Sequence, residues 1–586
     1  MSEVKVNKVS PRSGTTLTIG DSGDTTNIVG TLQNNGAALV GDISSVVAGT
    51  GLSGGGTSGA VTLNVEAAQS GVTSLGTLTA LTVNGNVSID GGTVKLDGNY
   101  PTGTNNVALG NTALDSLTSG NENTAIGAVA LTANTSGCYN VAVGDNALAA
   151  NTTGNDNTTI GMRSLLNNTT GINNTGVGRN ALRENTTAAK NTAVGSSSLA
   201  CNTTGTRNTA VGFCSLTTNT TGDDNTAFGT ESLRANTTGA NNVAVGKNAL
   251  VANTTGDENT AVGCNTLGAN TTADNNTAIG AFALDTNTEG HSNVAVGRSA
   301  LTANTTADNN TAVGFSALSS NTTGADNAAF GRRALNSNTT GANNAAIGTC
   351  ALYSNTTAGN NTSIGNYSSK LNTTGNSNVA VGYAALCTNT TASNNTAVGF
   401  CALKSDTEGF ENTALGNAAG CQINIGDQNT AIGSHALNNL SEGNNNIGLG
   451  RYAGADAVRN INGTCSNNIV IGNTSHTNAY IKIDWTVTSD LRDKTEISDV
   501  PHGLDFVNQI TPIKYKFKTS RENATPNGKE RYGFKAQEIL ALEGENPVLV
   551  DNGNVDNLSL TSAYLLPVLV NAIKELKAEI ELLKNK

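Results

Sequence analysis

A glycine recurs every 17 residues through the middle of this chain, from Gly110 and Gly127 to Gly450. The series contains 21 glycines without a change of spacing. The unit around each glycine approximates N-x-[TV]-A-Φ-G-x-x-A-L-x-x-N-T-T-G-x, in which Φ is Val, Ile, Leu or Phe. So short and regular a period predicts the stacked coils of a solenoid, because a single unit cannot bury its own apolar residues.

Each unit has two apolar marks, the Φ residue and an Ala-Leu pair, as in Val143 with Ala147 and Leu148. We therefore expect one or two short strands and two corners per unit, with identical positions forming ladders along the axis. Asn stands four residues before every phased glycine, and most units have a second Asn seven residues after it, such as Asn134. Asn tolerates left-handed backbone and its amide can bond to the next Asn in a column. The phased glycine, and the Gly or Ala ten residues later, are expected to open tight turns.

Few large side chains are available to build a core, since the chain is 37% hydrophobic, 4% aromatic and 13% charged, with 68 glycines. We still predict order, because disordered chains are usually highly charged and keep no phased apolar residue over 21 periods. Coils spaced like paired strands, about 4.8 Å apart, would form a rod on the order of 100 Å long. One Val and one Leu per coil would bury little in a monomer. The sequence therefore predicts a trimeric β-solenoid or β-roll shaft, with three chains around one axis.

The charge pattern argues against several classes of partner. The net charge is −12 and Lys and Arg form no clustered stripe, so we expect no nucleic-acid binding. No run approaches the roughly 20 apolar residues that span a bilayer, and the polar segment Met1–Ile19 is unlike a signal peptide. We expect neither membrane insertion nor export by the usual N-terminal route.

The metal-binding residue types are scattered. Four isolated histidines and nine cysteines without a CxxC pair predict no metal site and no cofactor. We expect the cysteines to be small buried or half-buried hydrophobes of a chain made in a reducing compartment, and not disulfides or metal ligands.

Composition divides the chain into four regions. Residues 1–45 form a β-rich head with alternating segments such as Thr15–Ile19 and Thr26–Val29, and residues 46–104 form a connector and short-strand shaft that includes Val61–Leu96. The glycine-rich run Gly49–Gly59 lacks the lysine of a phosphate-binding loop, so we interpret it as a flexible or turning β-connector. Residues 105–484 form the 17-residue-repeat shaft, whose irregular end, with an interval of 22 residues before Gly472, is interpreted as a cap. Residues 485–586 form a separate domain.

The last hundred residues predict a small α+β domain. The alternating runs Ile513–Lys518 and Arg531–Lys535 predict two strands, and Thr561–Lys586 predicts a helix. Apolar residues in that helix follow a 3,4,3,4,3 spacing with charged residues beside them, which is typical of a coiled-coil seam. The alternative is a short core helix. The seam residues are Leu566, Leu569, Ile573, Leu576, Ile580 and Leu583.

Three motifs in this domain carry a specific resemblance. They are Thr488-Ser489-Asp490-Leu491-Arg492-Asp493-Lys494, Ile510-Thr511-Pro512-Ile513-Lys514-Tyr515 and Tyr532-Gly533-Phe534-Lys535-Ala536-Gln537-Glu538. With the terminal helix, they make residues 485–586 resemble the endosialidase-type intramolecular chaperones, self-cleaving C-terminal domains of viral tail spikes and fibres. The repeats loosely resemble the head repeats of trimeric adhesins.

The resemblance implies a trimeric domain that aligns three chains, nucleates folding of the stalk and then releases itself. It implies that Ser489 is a nucleophile and Lys494 its base, with Asp490 and Arg492 in supporting roles. A hydroxyl needs a neighbouring base to become a good nucleophile, and a desolvated lysine can serve. Any enzymatic activity is then at most an autocatalytic Ser-Lys peptidase that cuts its own chain near Ser489.

The preferred interpretation is a phage tail fibre, made in the host cytoplasm and located in the virion. Its partners would be two further copies of itself, tail or baseplate proteins at the N-terminus and a glycan or protein receptor on the host surface. A bacterial trimeric adhesin is a second reading, which would need an export signal and a membrane-anchoring barrel. The third is a tail spike that degrades polysaccharide, which would need paired carboxylates in an aromatic-lined groove.

Overall fold

The structure, a computed structural model, describes residues 103–456, 461–476, 489–518, 524–553 and 558–586, together with six two-residue strands nearer the N-terminus. The chain divides into two compact units, residues 1–94 and 95–586. The predicted segments Thr15–Ile19 and Thr26–Val29, and most of Val61–Leu96, lie outside the described residues. The six short strands form the antiparallel pairs β1–β2, β3–β5 and β4–β6. Their bounds are β1 Gln33–Asn34, β2 Ala37–Ala38, β3 Val46–Val47, β4 Leu52–Ser53, β5 Gly55–Gly56 and β6 Asn64–Val65.

The repeat region is a parallel β-solenoid, as the glycine period predicts. Each coil contributes one three-residue strand, and each strand pairs in parallel with the strand of the next coil, residue i beside residue i+17. Among the described strands, the first and last each pair with one neighbour, so the sheet is an open ladder. The 22 strands are β7 Val107–Leu109, β8 Thr124–Ile126, β9 Val141–Val143, β10 Thr158–Ile160, β11 Thr175–Val177, β12 Thr192–Val194, β13 Thr209–Val211, β14 Thr226–Phe228, β15 Val243–Val245, β16 Thr260–Val262, β17 Thr277–Ile279, β18 Val294–Val296, β19 Thr311–Val313, β20 Ala328–Phe330, β21 Ala345–Ile347, β22 Thr362–Ile364, β23 Val379–Val381, β24 Thr396–Val398, β25 Thr413–Leu415, β26 Thr430–Ile432, β27 Ile447–Leu449 and β28 Ile469–Ile471.

The interior of the solenoid is narrow. It is filled by the middle residue of each strand, usually Ala, and by the Ala-Leu pair that follows the glycine, as in Ala142, Ala147 and Leu148, all fully buried. Strand side chains alternate between the two faces of a sheet, so the first and third residues of each strand point outward. The Φ residue is the third, and it is exposed or half-buried throughout.

The expectation that one Val and one Leu per coil would bury little in a monomer is therefore wrong for Leu and agrees with the structure for Val. Leu is hidden within its own chain, whereas Φ residues such as Val143 lie on the opposite face of the sheet. The physical reason is the width of the coil, because one Leu and two Ala side chains already fill the space that a 17-residue circuit encloses.

The corners depend on left-handed backbone at unexpected positions. The phased glycines have φ between 113° and 142°, so they require glycine, as predicted. The glycine ten residues later has no positive φ, and Ala takes its place at Ala188 and Ala273, so its predicted conformational role is wrong. The buried leucines have φ between 46° and 57°, a region that costs a non-glycine residue about 1–2 kcal/mol. Complete burial of the leucine side chain offsets that cost.

Two columns of buried Asn side chains run along the solenoid, which confirms the predicted ladder bonding. In the column that includes Asn140, each Oδ1 accepts from the backbone N–H of the equivalent Asn on the next coil, at 3.0 Å for Asn157. In the second column, which runs from Asn134 to Asn389, each Nδ2 donates to the Oδ1 of the preceding coil at 2.7–3.1 Å. Buried amides are thus satisfied by their own repeats.

Two places depart from the repeat. The coil around Gly365 has Ser363 and Ser369 where other coils have Ala and Leu, and both hydroxyls are buried without a hydrogen-bond partner. This coil separates the apolar core into two clusters. At the distal end, the 22-residue interval still delivers β28 in register beside β27, so the irregular segment predicted as a cap adds one more strand.

The described residues of the C-terminal domain form three helices and two antiparallel hairpins. Its core consists of Phe506, Ile539, Leu549, Val550, Leu565 and Val568. The first predicted strand has its predicted bounds and the helix lies within the predicted Thr561–Lys586, whereas the second strand begins five residues and ends two residues before the predicted Arg531–Lys535. The elements are a 3-10 turn Leu491–Asp493, α1 Leu504–Gln509, β29 Ile513–Lys518, β30 Pro526–Gly533, α2 Ala536–Glu543, β31 Val550–Asp551, β32 Ser559–Leu560, a 3-10 turn Ser562–Tyr564 and α3 Leu565–Lys584. Among the described helices, none is both long and apolar enough to cross a membrane.

Candidate functional site

The residues of the sequence motif lie around the 3-10 turn that begins the described part of the C-terminal domain. Asp490 caps this turn, because its carboxylate accepts a hydrogen bond from the backbone N–H of Arg492 at 2.9 Å. The backbone N–H of Lys494 donates to the carbonyl of Leu491 at 3.2 Å and ends the turn. The turn reverses the chain and brings the side chains on its two sides together.

Ser489 and Lys494 come into direct contact in this way. The Nζ of Lys494 donates to the Oγ of Ser489 at 2.8 Å, although the two residues are five apart in sequence. This distance permits proton transfer between the hydroxyl and the amine once the amine is neutral. The contact places a hydroxyl and an amine within hydrogen-bond distance, which is the arrangement that a Ser-Lys pair would require.

Asp490 and Arg492 form a separate ion pair beside Ser489 and Lys494, which together are called the dyad below. The Nε of Arg492 donates to both carboxylate oxygens of Asp490, at 3.0 and 3.1 Å. The hydrogen bonds from Arg492 hold the pKa of the Asp490 carboxyl below its usual range, and they raise the pKa of the guanidinium. Neither side chain bonds to Ser489 or Lys494 through these contacts, so the pair shapes the turn and leaves the dyad free.

The dyad is open to solvent in a single chain. Both Ser489 and Lys494 are exposed. A lysine acts as a base when burial or a neighbouring cation lowers its pKa. The described residues of one chain bring the hydroxyl and the amine together but do not bury them.

The C-terminal helix ties down the segment that follows the dyad. The Oε2 of Glu575 on α3 accepts from the backbone N–H of Leu504 at 2.5 Å and so caps the first turn of α1. The Nδ2 of Asn571 donates to the carbonyl of His502 at 3.0 Å. A Cβ at Gly503 would lie 2.1 Å from the carboxylate of Glu575, so a larger residue there would require this side chain to move. From the sequence, Glu575 was only a charged residue beside the seam. Its hydrogen-bond partner Leu504 lies 71 residues away, so no local pattern indicates the contact.

The predicted seam of α3 faces away from its own domain. One face of the helix, with Leu565, Val568 and Ala572, is buried. The seam residues are all exposed, from 37% for Leu569 to 70% for Leu583. An apolar heptad seam without a covering element in its own chain is characteristic of a helix that associates with others.

The remaining residue types form no second site in the parts of the chain that the structure describes. No group of three or more His, Cys, Asp and Glu side chains there could hold a metal ion. All nine cysteines are free thiols, with Cys350 buried, Cys264 exposed and the others between these extremes.

Comparison with known proteins gives one match. No curated protein and no solved structure matches the chain. Residues 489–548 match the family described as chaperone of endosialidase, a match that begins at Ser489 and includes the dyad, α1, the β29–β30 hairpin and α2. The C-terminal part of the chain is thus similar to this chaperone family, and it follows a parallel β-solenoid shaft.

Proposed function

We propose that the chain is a viral tail fibre, of the phage type, that attaches the particle to a host surface as a homotrimer. The observation that carries the proposal is the Ser489–Lys494 contact in a domain that matches the chaperone of endosialidase family. The N-terminal region would bind tail or baseplate proteins, and a glycan or protein on the host would be the receptor.

The C-terminal domain would assemble the trimer. Its exposed seam offers six apolar side chains at heptad spacing, and three such helices side by side would remove them from water. The buried face of α3 holds α1, and Glu575 fixes the start of α1. Association of three seams would therefore set three complete domains, and three dyads, in a common arrangement.

Self-cleavage would follow at Ser489. Lys494, once neutral, would take the hydroxyl proton while Oγ attacks an adjacent main-chain carbonyl carbon. The carbon–nitrogen bond would break, the proton would pass from Nζ to the leaving amide nitrogen, and an ester would form. Water would hydrolyse this ester, so the chain would separate into a shaft and a C-terminal fragment.

A denaturing gel of the expressed full chain tests this chemistry. The wild type is expected to give a C-terminal fragment of about one hundred residues, which Ser489→Ala abolishes. Lys494→Arg is the matched control for charge, because a guanidinium keeps the positive charge but cannot act as a base. If the wild type stays uncut, the proposed peptidase activity is contradicted. If Ser489→Ala is still cleaved, Ser489 is not the nucleophile.

Mass photometry of the uncut Ser489→Ala chain tests assembly separately. The expected particle has three times the chain mass. Replacing Ile573 and Ile580 on the seam with Lys should abolish this uniform particle, because the three chains are then no longer aligned, whereas Lys at the exposed Glu579 should leave it unchanged. A monomeric Ser489→Ala chain would contradict the proposed trimer.

A further inference from the structure

The shaft has one continuous face that carries no charge. We define the outer face as the first and third residues of strands β7–β28, which point away from the coil interior. The third position is Val, Ile, Leu or Phe in all 22 strands, and the first is Thr, Val, Ala or Ile. Charged residues occur on the columns beside it, for example Arg298 directly after a phased glycine and Asp326 before the next strand. Charged residues are therefore absent from the outer face but present elsewhere on the surface of the coils.

The outer face is also exposed in a single chain. Twelve of its third-position residues are large and exposed, including Leu109 at 55%, Phe228 at 56% and Ile471 at 64%. The twelve are Leu109, Ile126, Ile160, Val194, Phe228, Ile279, Phe330, Ile347, Ile364, Leu415, Ile432 and Ile471. Water contact of this kind along a whole sheet is costly, because apolar area is stabilised by burial at about 25 cal/mol per Å².

The area involved is that of a stable interface. If each of the twelve exposes about 70 Å², a fraction of the roughly 150–250 Å² that a large side chain can bury, they present about 800 Å². This equals the area that each partner contributes to a standard protein interface, and it exceeds the largest apolar patch of a typical monomer, about 300–600 Å².

The repeat identifies the occupant. A face that repeats every 17 residues over about 100 Å can be matched along its whole length only by a surface with the same repeat. A parallel copy of the chain has that repeat. Identical positions then meet across the interface, and an uncharged face avoids the like-charge contacts that a symmetric interface would otherwise create.

We infer that the outer face of the shaft packs against the outer faces of two further copies of this chain, in parallel and with equivalent coils side by side. This inference rests on the proposed trimer for the number of copies. The leucine column stays inside each coil, so each chain keeps its own core and the copies share only the Φ column and the column of first-position residues.

Site-specific photo-crosslinking of the full chain tests the inference. The photo-reactive amino acid p-benzoylphenylalanine replaces Phe330 on the outer face, and in a control it replaces Thr340, which is exposed on another side of the same coil. Irradiation is expected to give covalent species of two and three chains from position 330 and none from position 340. Mass photometry of the same samples establishes whether three chains are present.

The outcomes separate the two proposals. A trimer that gives no interchain product from position 330, or equal products from both positions, overturns the inference while leaving the C-terminal assembly intact. A monomer overturns both. A product between this chain and a different protein from position 330 also overturns the inference, because another partner then covers the face.

A charge pair provides a second measurement on the same coils. Phe330→Lys with Ile347→Lys places two charges on the outer face, and Thr323→Lys with Thr340→Lys places them on the exposed column that already carries Glu289 and Glu408. All four positions are exposed in a single chain, and in the inferred interface only the first pair would be buried against other copies. The first pair should lower the thermal midpoint of the shaft by several degrees more than the second, and equal midpoints would contradict the inference.

Discussion

Asp406 occupies a place in the second Asn column where every preceding coil, back to Asn134, has an amide. It is fully buried, its Oδ1 accepts from the backbone N–H of Gly409 at 3.0 Å, and its Oδ2 has no partner. In Asn389, one coil earlier, Oδ1 accepts the equivalent N–H, and Nδ2 donates to Asn372 and to a carbonyl. The Oδ2 of Asp406 therefore takes the position of the donor Nδ2 of the other coils and faces hydrogen-bond acceptors. Only a protonated carboxyl group can donate a hydrogen bond there.

The magnitude follows from burial. Desolvation raises the pKa of the Asp406 carboxyl to about 8 from 3.8, the N–H of Gly409 opposes this shift, and the charge of Asp427 on the next coil adds to it. The other charged groups nearby in sequence, Lys404 and Glu408, lie on its own coil. The native state thus holds a proton that the unfolded chain releases above about pH 4, and stability falls as pH rises from about 4 to about 8. One pKa unit is 1.36 kcal/mol, so the cost is on the order of 1–2 kcal/mol at pH 5 and on the order of 5 kcal/mol at pH 8.

Asp406→Asn should remove this cost and restore the amide donor. Urea unfolding of the full chain, followed by far-UV circular dichroism at pH 5 and pH 8, measures the effect. The wild type should lose about 3–4 kcal/mol more than Asp406→Asn between these pH values. The exposed Asp326→Asn serves as the control and should follow the wild type. Parallel pH profiles of the wild type and Asp406→Asn would refute the reasoning, since Asp406 would then be ionised in the native state.

Two further changes test the core and the corners. Ser369→Leu restores the leucine that other coils have at this position, and burying a leucine stabilises a protein by about 1.5–3 kcal/mol. The thermal midpoint should therefore rise, and it should rise most when Ser363→Ala is made as well. A lower midpoint would show that the coil around Ser369 has no room for the larger side chain. Gly246→Ala places a Cβ 2.4 Å from the carbonyl oxygen of Gly263 at a φ of 131° and should cost at least about 1–3 kcal/mol in urea unfolding. Gly239→Ala is its control, because a Cβ there would lie 2.5 Å from the carbonyl oxygen of Gly256, a similar approach, but without a positive φ, and equivalent coils already carry Ala there. Equal losses would contradict the assigned role of φ.

The fold was predictable to the extent that it depends on period. A strict 17-residue repeat with one apolar strand determines the coil and the parallel register, and Asn at fixed positions indicates the ladders. Hydrophobicity could not predict which strand residues face the interior, because all three residues of Val141-Ala142-Val143 are apolar. Only the size of the enclosed space selects Ala142 for the interior. Nor was the left-handed backbone at Leu148, since local preferences disfavour it and the packing of the whole stack imposes it.

The candidate site shows the same division. Ser489 and Lys494 are close in sequence, so a motif can indicate their contact, and a single turn produces it. The cap that Glu575 provides for α1 joins residues 71 apart and appears in no local pattern. The heptad seam could be predicted because its spacing repeats. The spacing alone could not show whether the seam packs on the core of its own domain or stays exposed.

The regularity of the shaft explains why such a chain would need a separate alignment domain. On the proposed outer-face interface, sliding one chain by a whole coil again places Φ beside Φ and loses the contacts of only one coil out of 22. At about 70 Å² per large side chain, that slip costs about 2 kcal/mol per chain, against tens of kcal/mol for the full face. A repeat therefore discriminates poorly among registers, as uniform strands generally do. The seam of α3 has only six apolar residues per chain, so a slip by one heptad would lose two of the six, a far larger share of its contacts than one coil out of 22. Fixing the register there before the outer faces close would prevent slipped trimers. Once the faces are closed, the alignment domain is no longer needed, and a cleavable bond beside Ser489, between the shaft and the seam, is where its release would have to occur.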